Sequence, residues 1–395
     1  MTTPFEALGP AFSDPVEPAD FPKTILRYRN DRAAKTVGLD QLSGEAWLEH
    51  FGRFTPLPDN IRKPLAIRYH GHQFRQYNPQ IGDGRGFLFA QLRDDQGHLL
   101  DLGTKGSGKT PYSRFGDGRL TLKGGVREIL ATEMLEASGV PTSKTLSLIE
   151  TGEQLTRNDE PSPTRSSVMV RLQHSHIRFG AFQRLAYLEE GENMEALLRH
   201  VREVYHPDIP DGPVAELAPA LLARISERTA NMVASWMAAG FVHGVMNTDN
   251  MNVTGETFDF GPYRFIPTSD PGFKAAYFDE YGLYAFGRQP QAAIWNLQQL
   301  GGALTMLADA DDLTEGLKAF EPAYQNALRD HCFFQFGVTS TDLFEDLNFL
   351  QSLFTWMTET GAPWHQVYFD WFGGQASAER AFKSPIAELY SQSAF

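Results

Sequence analysis

The sequence predicts an α+β protein of two lobes, a sheet-rich N-terminal lobe followed by a helical C-terminal lobe. Short apolar runs bounded by turn residues occupy much of the chain from about residue 65 to residue 173, which is typical of strands. Beyond about residue 185, apolar side chains recur at helical spacing, most clearly over residues 214–239. Single cores stop growing at about 250–300 residues, so a chain of 395 residues is expected to form two lobes.

The predicted elements follow in order along the chain. Residues 1–60 are loop-rich and are predicted to be an N-terminal extension with a short helix at about residues 42–51. Residues 61–184 are predicted to be the N-lobe, with a hairpin of "RGFLFAQLRD" and "HLLDLGTKG" closed at residues 94–97. Two further strands, "TLSLIETGEQL" and "SSVMVRLQ", are separated by a Pro-containing loop at residues 161–164.

One prominent helix is predicted in the N-lobe, over residues 124–138, and Gly139 ends it. Its apolar side chains fall on one face, the pattern of an amphipathic helix, and they are Val126, Ile129, Leu130, Met134 and Ala137. Residues 185–395 are predicted to be the helical C-lobe, with helices at residues 214–239, 291–308, 313–331, 340–358 and 376–391.

Composition excludes several classes of protein. The net charge of −14 argues against a non-specific nucleic-acid binder, which needs a basic surface. No apolar run of about 18 residues is present, so no membrane span is expected. The start of the chain lacks the pattern of a secretory signal. Cys332 is the one cysteine and cannot form an internal disulfide, which favours a reducing, cytoplasmic setting and argues against redox control by such a bond.

Two basic stretches stand out in this acidic chain. Residues 103–127 carry six Lys or Arg against one acid, and residues 165–184 carry four Arg and no acid. Local clusters of this kind suggest anion sites, and phosphate is the natural candidate. The alternative is that both stretches are solvated faces without a ligand.

The most informative segment is "FVHGVMNTDNMNVTGETFDFGP" at residues 241–262, interpreted as two strands joined by a turn. Asn250 and Asp259, with Phe-Gly after the second, have the spacing with which protein-kinase-like enzymes hold divalent metal on nucleotide phosphates. In kinases the catalytic Asp comes two residues after the His, and here that position is Val245. A carboxylate appears only at Asp249, while His243 is interpreted as a structural brace.

Residues 103–110, "GTKGSGKT", match the P-loop pattern. A true P-loop must open a helix, whereas Pro111 and a turn-like stretch follow here. A kinase-like interpretation is preferred, in which Lys105 ends a strand and pairs with Glu128 on the following helix, so that its ammonium can bind phosphates. The alternative is an exposed strand-end lysine and a solvated helix charge.

Further candidates are glycine-rich turns and arginines. "QIGDGRGFL" at residues 80–88 and "FGDGR" at residues 115–119 let the backbone approach a ligand, although most such turns only close hairpins. Arg171 and Arg178 suit multidentate phosphate contacts. His174 and His176 would share a side on a strand, and they are interpreted as structural because no further metal-ligating cluster lies nearby.

Seven motifs together resemble one known family, the selenoprotein O family, also called YdiU. They are "YHGHQF", "PQIGDGRG", "TKGSGKTPYSRFGDGR", "VREILATEML", "SHIRFGAF", "GFVHGVMNTDNMNVTGETFDFGPY" and "QPQAAIWNL", in this order from about residue 69 to residue 297. The resemblance implies a kinase-like fold and a protein nucleotidyltransferase that moves AMP from ATP to Ser, Thr or Tyr hydroxyls. ATP would lie flipped relative to kinases, with the α-phosphate facing the acceptor.

The resemblance also implies roles for individual residues. Asp249 would be the proton acceptor, Asn250 and Asp259 would hold Mg²⁺ or Mn²⁺, and Lys105, oriented by Glu128, would bind phosphate. The rest of the ATP site would be formed by Gly82, Gly84, Arg85, Asp117, Gly118, Arg171 and Arg178. Gly124 and Gly125 depart from the family, in which a Ser pair is usual. The substrates, ATP against UTP, and the oligomeric state stay open, and the rival hypotheses are a non-catalytic ATP-binding pseudokinase and a kinase that transfers the γ-phosphate.

Overall fold

The N-lobe of the computed structural model, which describes residues 2–339 and 342–391, is built on one antiparallel sheet. The strands of this lobe are β1 (Ser13–Pro15), β2 (Ile25–Arg29), β3 (Leu65–Ile67), β4 (Gly71–Gln73), β5 (Gln76–Asn78), β6 (Leu88–Arg93), β7 (Leu99–Lys105), β8 (Leu120–Thr121), β9 (Lys144–Leu155) and β10 (Thr164–Gln173). Eight of them form the sheet in the order β1-β3-β6-β7-β10-β9-β2, with β8 beside β10, while β4 and β5 pair separately.

The predicted hairpin and the two later strands are confirmed. β6 and β7 are antiparallel with Arg93 opposite Leu99, and Gly97 takes a left-handed φ of +85° in the turn that joins them. β9 and β10 are the two later strands, and they pair along most of their length. The side chains of Leu88 and Leu102 are fully buried, so the apolar runs of this hairpin face the core.

Residues 1–60 are less of an extension than their loop-rich sequence suggests. β1 pairs with β3 and β2 pairs with β9, so this segment supplies both edge strands of the sheet. It also contains two helices, α1 (Asp31–Thr36) and α2 (Gly44–Gly52), the second at the predicted place. Trp47 and Phe51 of α2 are fully buried. Strands of three and five residues show too little alternation to be recognised from sequence.

Helix α3 (Leu122–Ala137) is the predicted N-lobe helix, but its predicted apolar face is the solvent side. Val126 is 42% exposed, Leu130 60% and Met134 38%. The face on the sheet is lined instead by Gly125, Glu128, Ala131, Thr132 and Leu135. A Cβ at Gly125 would lie 2.3 Å from Leu148 Cδ1, so the small residue lets the helix lie close to the sheet. The helix is oriented by its ion pair and its small residues, which an apolar pattern does not detect.

A matched pair of variants tests this orientation of α3. Leu135→Ala removes a fully buried side chain and is expected to cost about 2–5 kcal/mol of unfolding free energy. Leu130→Ala truncates a mostly exposed side chain on the same helix and should change stability by about 0.5 kcal/mol or less. Urea unfolding of both variants measures the difference, and equal losses would contradict the orientation described here.

The C-lobe is mainly helical. Its helices are α4 (Phe179–Tyr187), α5 (Gly191–Tyr205), α6 (Val214–Ala238), α7 (Gln289–Leu304), α8 (Ala310–Leu317), α9 (Phe320–Phe336), α10 (Leu343–Thr360), α11 (Trp364–Asp370), α12 (Ala378–Ala381) and α13 (Ala387–Tyr390). Two short strands, β11 (Phe241–Val242) and β12 (Arg264–Phe265), pair antiparallel beside the long helix α6.

Helices α4, α5 and α11 were not predicted individually, and α4 begins before the predicted start of the lobe at residue 185. The five predicted helices hold with three differences. The helix expected over residues 313–331 is two helices, because a turn at Lys318 and Ala319 separates α8 from α9. The helix expected over residues 376–391 is two four-residue helices, α12 and α13. The helix expected over residues 340–358 begins at Leu343, and residues 340 and 341 of that prediction lie outside the described residues.

One apolar core runs through both lobes. It includes Ile67 and Leu135 of the N-lobe and Leu221 and Phe241 of the C-lobe, all buried. The lobes are therefore packed together behind the cleft that separates their front edges.

Within residues 2–339 and 342–391, no helix combines the length and the apolar composition that crossing a bilayer requires.

Candidate functional site

A cleft of about 790 Å³ lies between the two lobes, and it brings the predicted site residues together. Of the twelve, only Glu128 is not on its wall. The lining includes Gly82, Gly84, Arg85, Lys105, Asp117, Gly118, Arg171, Arg178, Asp249, Asn250 and Asp259. They come from the turns before β6 and after β7, from β7 and β10, from the start of α4 and from the segment after α6.

Lys105 and Glu128 form the predicted pair inside the N-lobe. Lys105 is the last residue of β7, and its Nζ bonds Glu128 Oε1 on α3. Both side chains are buried, at 6% and 2% exposure, so each charge depends on the other for compensation. Lys105 Nζ also lies 3.5 Å from Asp259 Oδ1, which connects the pair to the C-lobe. The ammonium is thereby held at the floor of the cleft.

Asp259 is the point at which three cations meet. Arg171 Nη1 donates to its Oδ1 at 2.5 Å and Arg178 Nη1 to its Oδ2 at 2.6 Å, in addition to the nearby Lys105. Burial disfavours the ionised carboxylate, yet the three cations outweigh burial and hold the pKa of Asp259 well below its usual value. Asp259 also adopts a left-handed φ of +58°, an uncommon conformation for a residue with a side chain. Such strain persists only where the surroundings impose it.

Asp249 and Asn250 lie in a 3-10 turn, Thr248–Asn250, between α6 and Asp259. The predicted arrangement of two strands joined by a turn is wrong here. After β11 ends at Val242, the rest of the segment makes only isolated bridges, Arg178 to Asn252 and Thr142 to Thr257. The turn is fixed from outside: His72 N–H donates to Thr248 Oγ1 at 2.7 Å, and Arg178 donates to the Asp249 carbonyl at 2.6 Å. Hydrogen bonds from distant elements therefore hold this turn in place of strand pairing.

Two buried oxygens in this turn accept no hydrogen bond, Asp249 Oδ1 and Asn250 Oδ1. Buried acceptors without donors are costly, and a cation is the partner that oxygen atoms of this kind suit. Burial raises the pKa of Asp249 to about 6, although Arg178 acts in the opposite direction. The carboxylate can therefore take up a proton near neutral pH.

The oxygens of Asn250 and Asp259 form a donor set that fits Mg²⁺ or Mn²⁺. No group of three or more His, Cys, Asp or Glu that could hold a metal occurs among residues 2–339 and 342–391. A metal that arrives with a nucleotide does not need one, since Mg²⁺ is usually held by one or two carboxylates together with phosphates and water.

His243 braces the segment as expected. Its Nε2 donates to the Phe258 carbonyl at 3.0 Å, and its backbone N–H donates to Gln289 Oε1 at 3.0 Å. Burial lowers the pKa of His243, so the ring stays neutral and keeps this tautomer. His243 thus connects Phe258, the residue immediately before Asp259, to α7.

The P-loop match is not a P-loop. β7 ends at Lys105, and residues 106–119 form turns, with no helix until α3 begins at Leu122. The two glycine-rich turns, at residues 80–88 and 115–119, form part of the cleft wall. A Cβ at Gly86 would lie 2.0 Å from the Thr104 carbonyl oxygen, and one at Gly118 would lie 2.2 Å from the Gly108 carbonyl oxygen. Only glycine permits these close approaches, so the turns shape the cleft entrance.

His176 is structural, as expected, although it lies in the connection after β10 and not on a strand. Its Nε2 accepts a hydrogen bond from Arg171 Nε at 3.1 Å, and its backbone N–H donates to Asp101 Oδ2 at 2.9 Å. It thereby orients the guanidinium that bonds Asp259. His174 lies outside the cleft wall.

Sequence reasoning missed four contributors to the cleft. Asp83 Oδ1 lies 3.5 Å from Arg178 Nη2, and the Tyr69 ring stacks on the same guanidinium at 4.7 Å. The Phe258 ring packs against the guanidinium groups of Arg171 and Arg178. Arg157 donates two hydrogen bonds to the Asp117 carboxylate, at 2.8 and 3.1 Å. Asp83, between Gly82 and Gly84, was the one with a detectable signal, a carboxylate inside a glycine-rich turn.

Comparison with known proteins gives one family. Residues 1–387 match the family model described as "Protein adenylyltransferase SelO". Curated relatives named "Protein nucleotidyltransferase YdiU" include one from Synechocystis sp., 50% identical over 353 residues, which are 86% of this chain and 73% of that protein. Another, from Synechococcus elongatus, is 52% identical over 332 residues, or 82% of this chain and 66% of that protein. The chain thus spans about two thirds to three quarters of these relatives.

A rhoptry antigen kinase domain from Toxoplasma gondii is among the solved structures that align. It is 11% identical, with a TM-score of 0.31, and the alignment covers 69% of this chain and 83% of that one. A TM-score of this size does not by itself establish a common fold. The kinase-like arrangement is evident in the molecule itself, in its strand-to-helix Lys105–Glu128 pair and in the order of its two lobes.

Proposed function

The chain belongs to the SelO family of protein nucleotidyltransferases, and from this premise we propose that it transfers AMP from ATP to Ser, Thr or Tyr hydroxyls of other proteins. Pyrophosphate would be the second product. One observation supports the proposal most: unpartnered oxygens of Asp249 and Asn250 lie beside Asp259 in a cleft that also presents Lys105, Arg171 and Arg178. This wall offers oxygens for a cation and cations for phosphates.

Charge balance at the floor of the cleft supports joint binding of metal and nucleotide. Lys105, Arg171 and Arg178 are already met by carboxyl groups of Glu128, Asp259 and Asp83. These three cations therefore offer a triphosphate little uncompensated positive charge. Mg²⁺ or Mn²⁺ on Asn250 and Asp259 would supply it, by neutralising phosphate oxygens and polarising the α-phosphate.

The chemistry assigned to the chain's own residues is as follows. Asp249 accepts the proton of the acceptor hydroxyl, whose oxygen then bonds to the α-phosphorus. The bond between the α-phosphorus and the oxygen that bridges to the β-phosphate breaks, and pyrophosphate leaves with that electron pair. Lys105, Arg171 and Arg178 stabilise the charge that develops on the leaving group.

Incubation with ATP labelled on the α- or the γ-phosphate tests the proposal against its rivals. Label transferred to protein from the α-position supports AMP transfer, and label from the γ-position would replace it with kinase activity. Transfer of neither label would favour a binding protein. Val245 lines the cleft where a kinase of the His-x-Asp type has its base, which disfavours γ-transfer.

The pH dependence of transfer should report Asp249. Its pKa of about 6 means that the carboxylate is ionised above that pH and protonated below it. A protonated Asp249 cannot accept the hydroxyl proton, so kcat/KM should fall about ten-fold per pH unit below this pKa. Asp249→Asn should retain nucleotide binding but lose most of the rate and this acid limb. Any pH dependence that comes from titration of the nucleotide would be the same in the wild type and in Asp249→Asn. An unchanged acid limb in Asp249→Asn would contradict the assignment of Asp249 as the proton acceptor.

A further inference from the structure

Helix α3 contacts the segment after Asp259 through one arginine, Arg127. Arg127 Nη2 donates to the Tyr263 carbonyl at 3.1 Å and to the Gly261 carbonyl at 3.3 Å. Tyr263 Oη donates back to the Arg127 carbonyl at 2.8 Å, and the guanidinium lies over the Tyr263 ring, 4.5 Å from its centroid. Arg127 and Tyr263 thus connect α3 to this segment through three hydrogen bonds and a cation–π contact.

The position of this contact in the chain is what makes it informative. Arg127 directly precedes Glu128, the partner of Lys105, and Gly261 lies two residues after Asp259. The upstream side of Asp259 is held by His243 on the Phe258 carbonyl, and β12 pairing begins only at Arg264. Gly261 is exposed and has open space around its Cβ position. Arg127 is therefore well placed to fix residues 260–263.

We propose that Arg127 and Tyr263 are positioning residues that form a latch between α3 and the Asp259 segment, so that the Lys105–Glu128 pair and the metal-binding carboxylate are aligned together. The inference rests on the proposed function for its consequence, because it concerns the geometry of the same site. Neither side chain lines the cleft. The latch acts through Asp259, whose strained backbone needs support on its downstream side.

The chain offers a matched control for the latch, Arg264. Its Nη1 donates to the same Tyr263 carbonyl at 3.0 Å and to the Pro262 carbonyl at 3.3 Å, but it is exposed and these bonds link it only to its own segment. Arg264→Ala therefore removes an arginine bond to the same carbonyl without separating the segment from α3. Tyr263→Phe keeps the ring and removes only the hydroxyl bond to Arg127.

The test compares Arg127→Ala, Tyr263→Phe, their double variant and Arg264→Ala in the full chain. In the ligand-free protein, Arg127→Ala should speed amide hydrogen exchange over residues 259–263. Mg²⁺ should then strengthen ATP binding about ten-fold less than in the wild type, while metal-free ATP binding stays the same. In the double variant, the strengthening of ATP binding by Mg²⁺ should be no smaller than in Arg127→Ala, since both substitutions break the same contact. Arg264→Ala should match the wild type in both measurements.

The proposal is overturned if Arg127→Ala keeps the wild-type rate of amide hydrogen exchange and the full effect of Mg²⁺ on ATP binding. It is overturned as well if the losses of the Mg²⁺ effect in the two single variants multiply in the double variant. It is also overturned if Arg264→Ala loses as much as Arg127→Ala. These measurements do not require transfer to occur. Absence of α-label transfer by the wild type would refute the proposed function instead, so the two failures are distinguishable.

Discussion

Asp259→Asn is expected to abolish α-label transfer, with a loss of about 10²–10³-fold or more. The substitution keeps the shape of the side chain but removes the charge that meets Arg171, Arg178 and Lys105. Breaking a buried charge cluster at one partner costs about 3–5 kcal/mol, so the variant should also unfold at lower urea concentration. Rate and stability are thus expected to fall together, and a separate binding measurement must distinguish their causes.

Metal-free ATP binding is that measurement. Without the Asp259 charge, Arg171 loses its carboxylate partner and Arg178 keeps only Asp83, so phosphate should bind them at least as tightly as in the wild type. The strengthening of ATP binding by Mg²⁺ should disappear, because one of the two proposed protein ligands of the metal is lost. An unfolded variant would bind no ATP at all. Wild-type transfer by Asp259→Asn would show that the metal assignment is wrong.

Lys105→Met is expected to reduce transfer by about 100-fold, because it removes the buried ammonium that faces both Glu128 and Asp259. The matched control is Lys109→Met. Lys109 occupies the lysine position of the P-loop pattern but is exposed in this structure. A surface substitution of this kind usually changes stability by about 0.5 kcal/mol or less, and the rate should stay within about two-fold of wild type.

Comparison of the two lysine variants distinguishes a P-loop from a kinase-like site in residues 103–110. Transfer by a P-loop would depend on Lys109, and transfer by a kinase-like site would depend on Lys105. Steady-state rates with α-labelled ATP, measured on both variants, give the comparison directly. A loss in Lys109→Met as large as that in Lys105→Met would contradict the assignment of Lys105 as the phosphate-binding lysine.

Much of the fold could be predicted from the sequence because its signals are local. The β6–β7 hairpin, the β9–β10 pair and helix α6 are long and periodic, and all are present as predicted. The edge strands β1 and β2 were missed because pairing with distant partners, and not their own pattern, makes them strands. The buried face of α3 was wrong for a related reason. Its orientation depends on Glu128 reaching Lys105, a tertiary contact that outweighs the apolar pattern.

Eleven of the twelve residues predicted for the candidate site line one cleft, while their functional roles stay predictions. Spacing indicated Asn250 and Asp259, and their presence favoured the Lys105–Glu128 pair over two ordinary surface charges. The role of Asp249 came from the resemblance to a known family. Asp83 and Tyr69 were missed, since their contacts with Arg178 depend on how the lobes meet. Their roles in binding stay predictions, like those of the selected residues.

The pairing of β1 with β3 and of β2 with β9 has a consequence for association between molecules. These two strands occupy the outer positions of the sheet, so β3 is covered along its length and β9 over residues 147–150. A chain cut back to residue 61 would expose both edges, and β9 is the longest strand at 12 residues. Unpaired edges of this kind recruit strands from other chains. We therefore expect the first 30 residues to limit aggregation of the N-lobe.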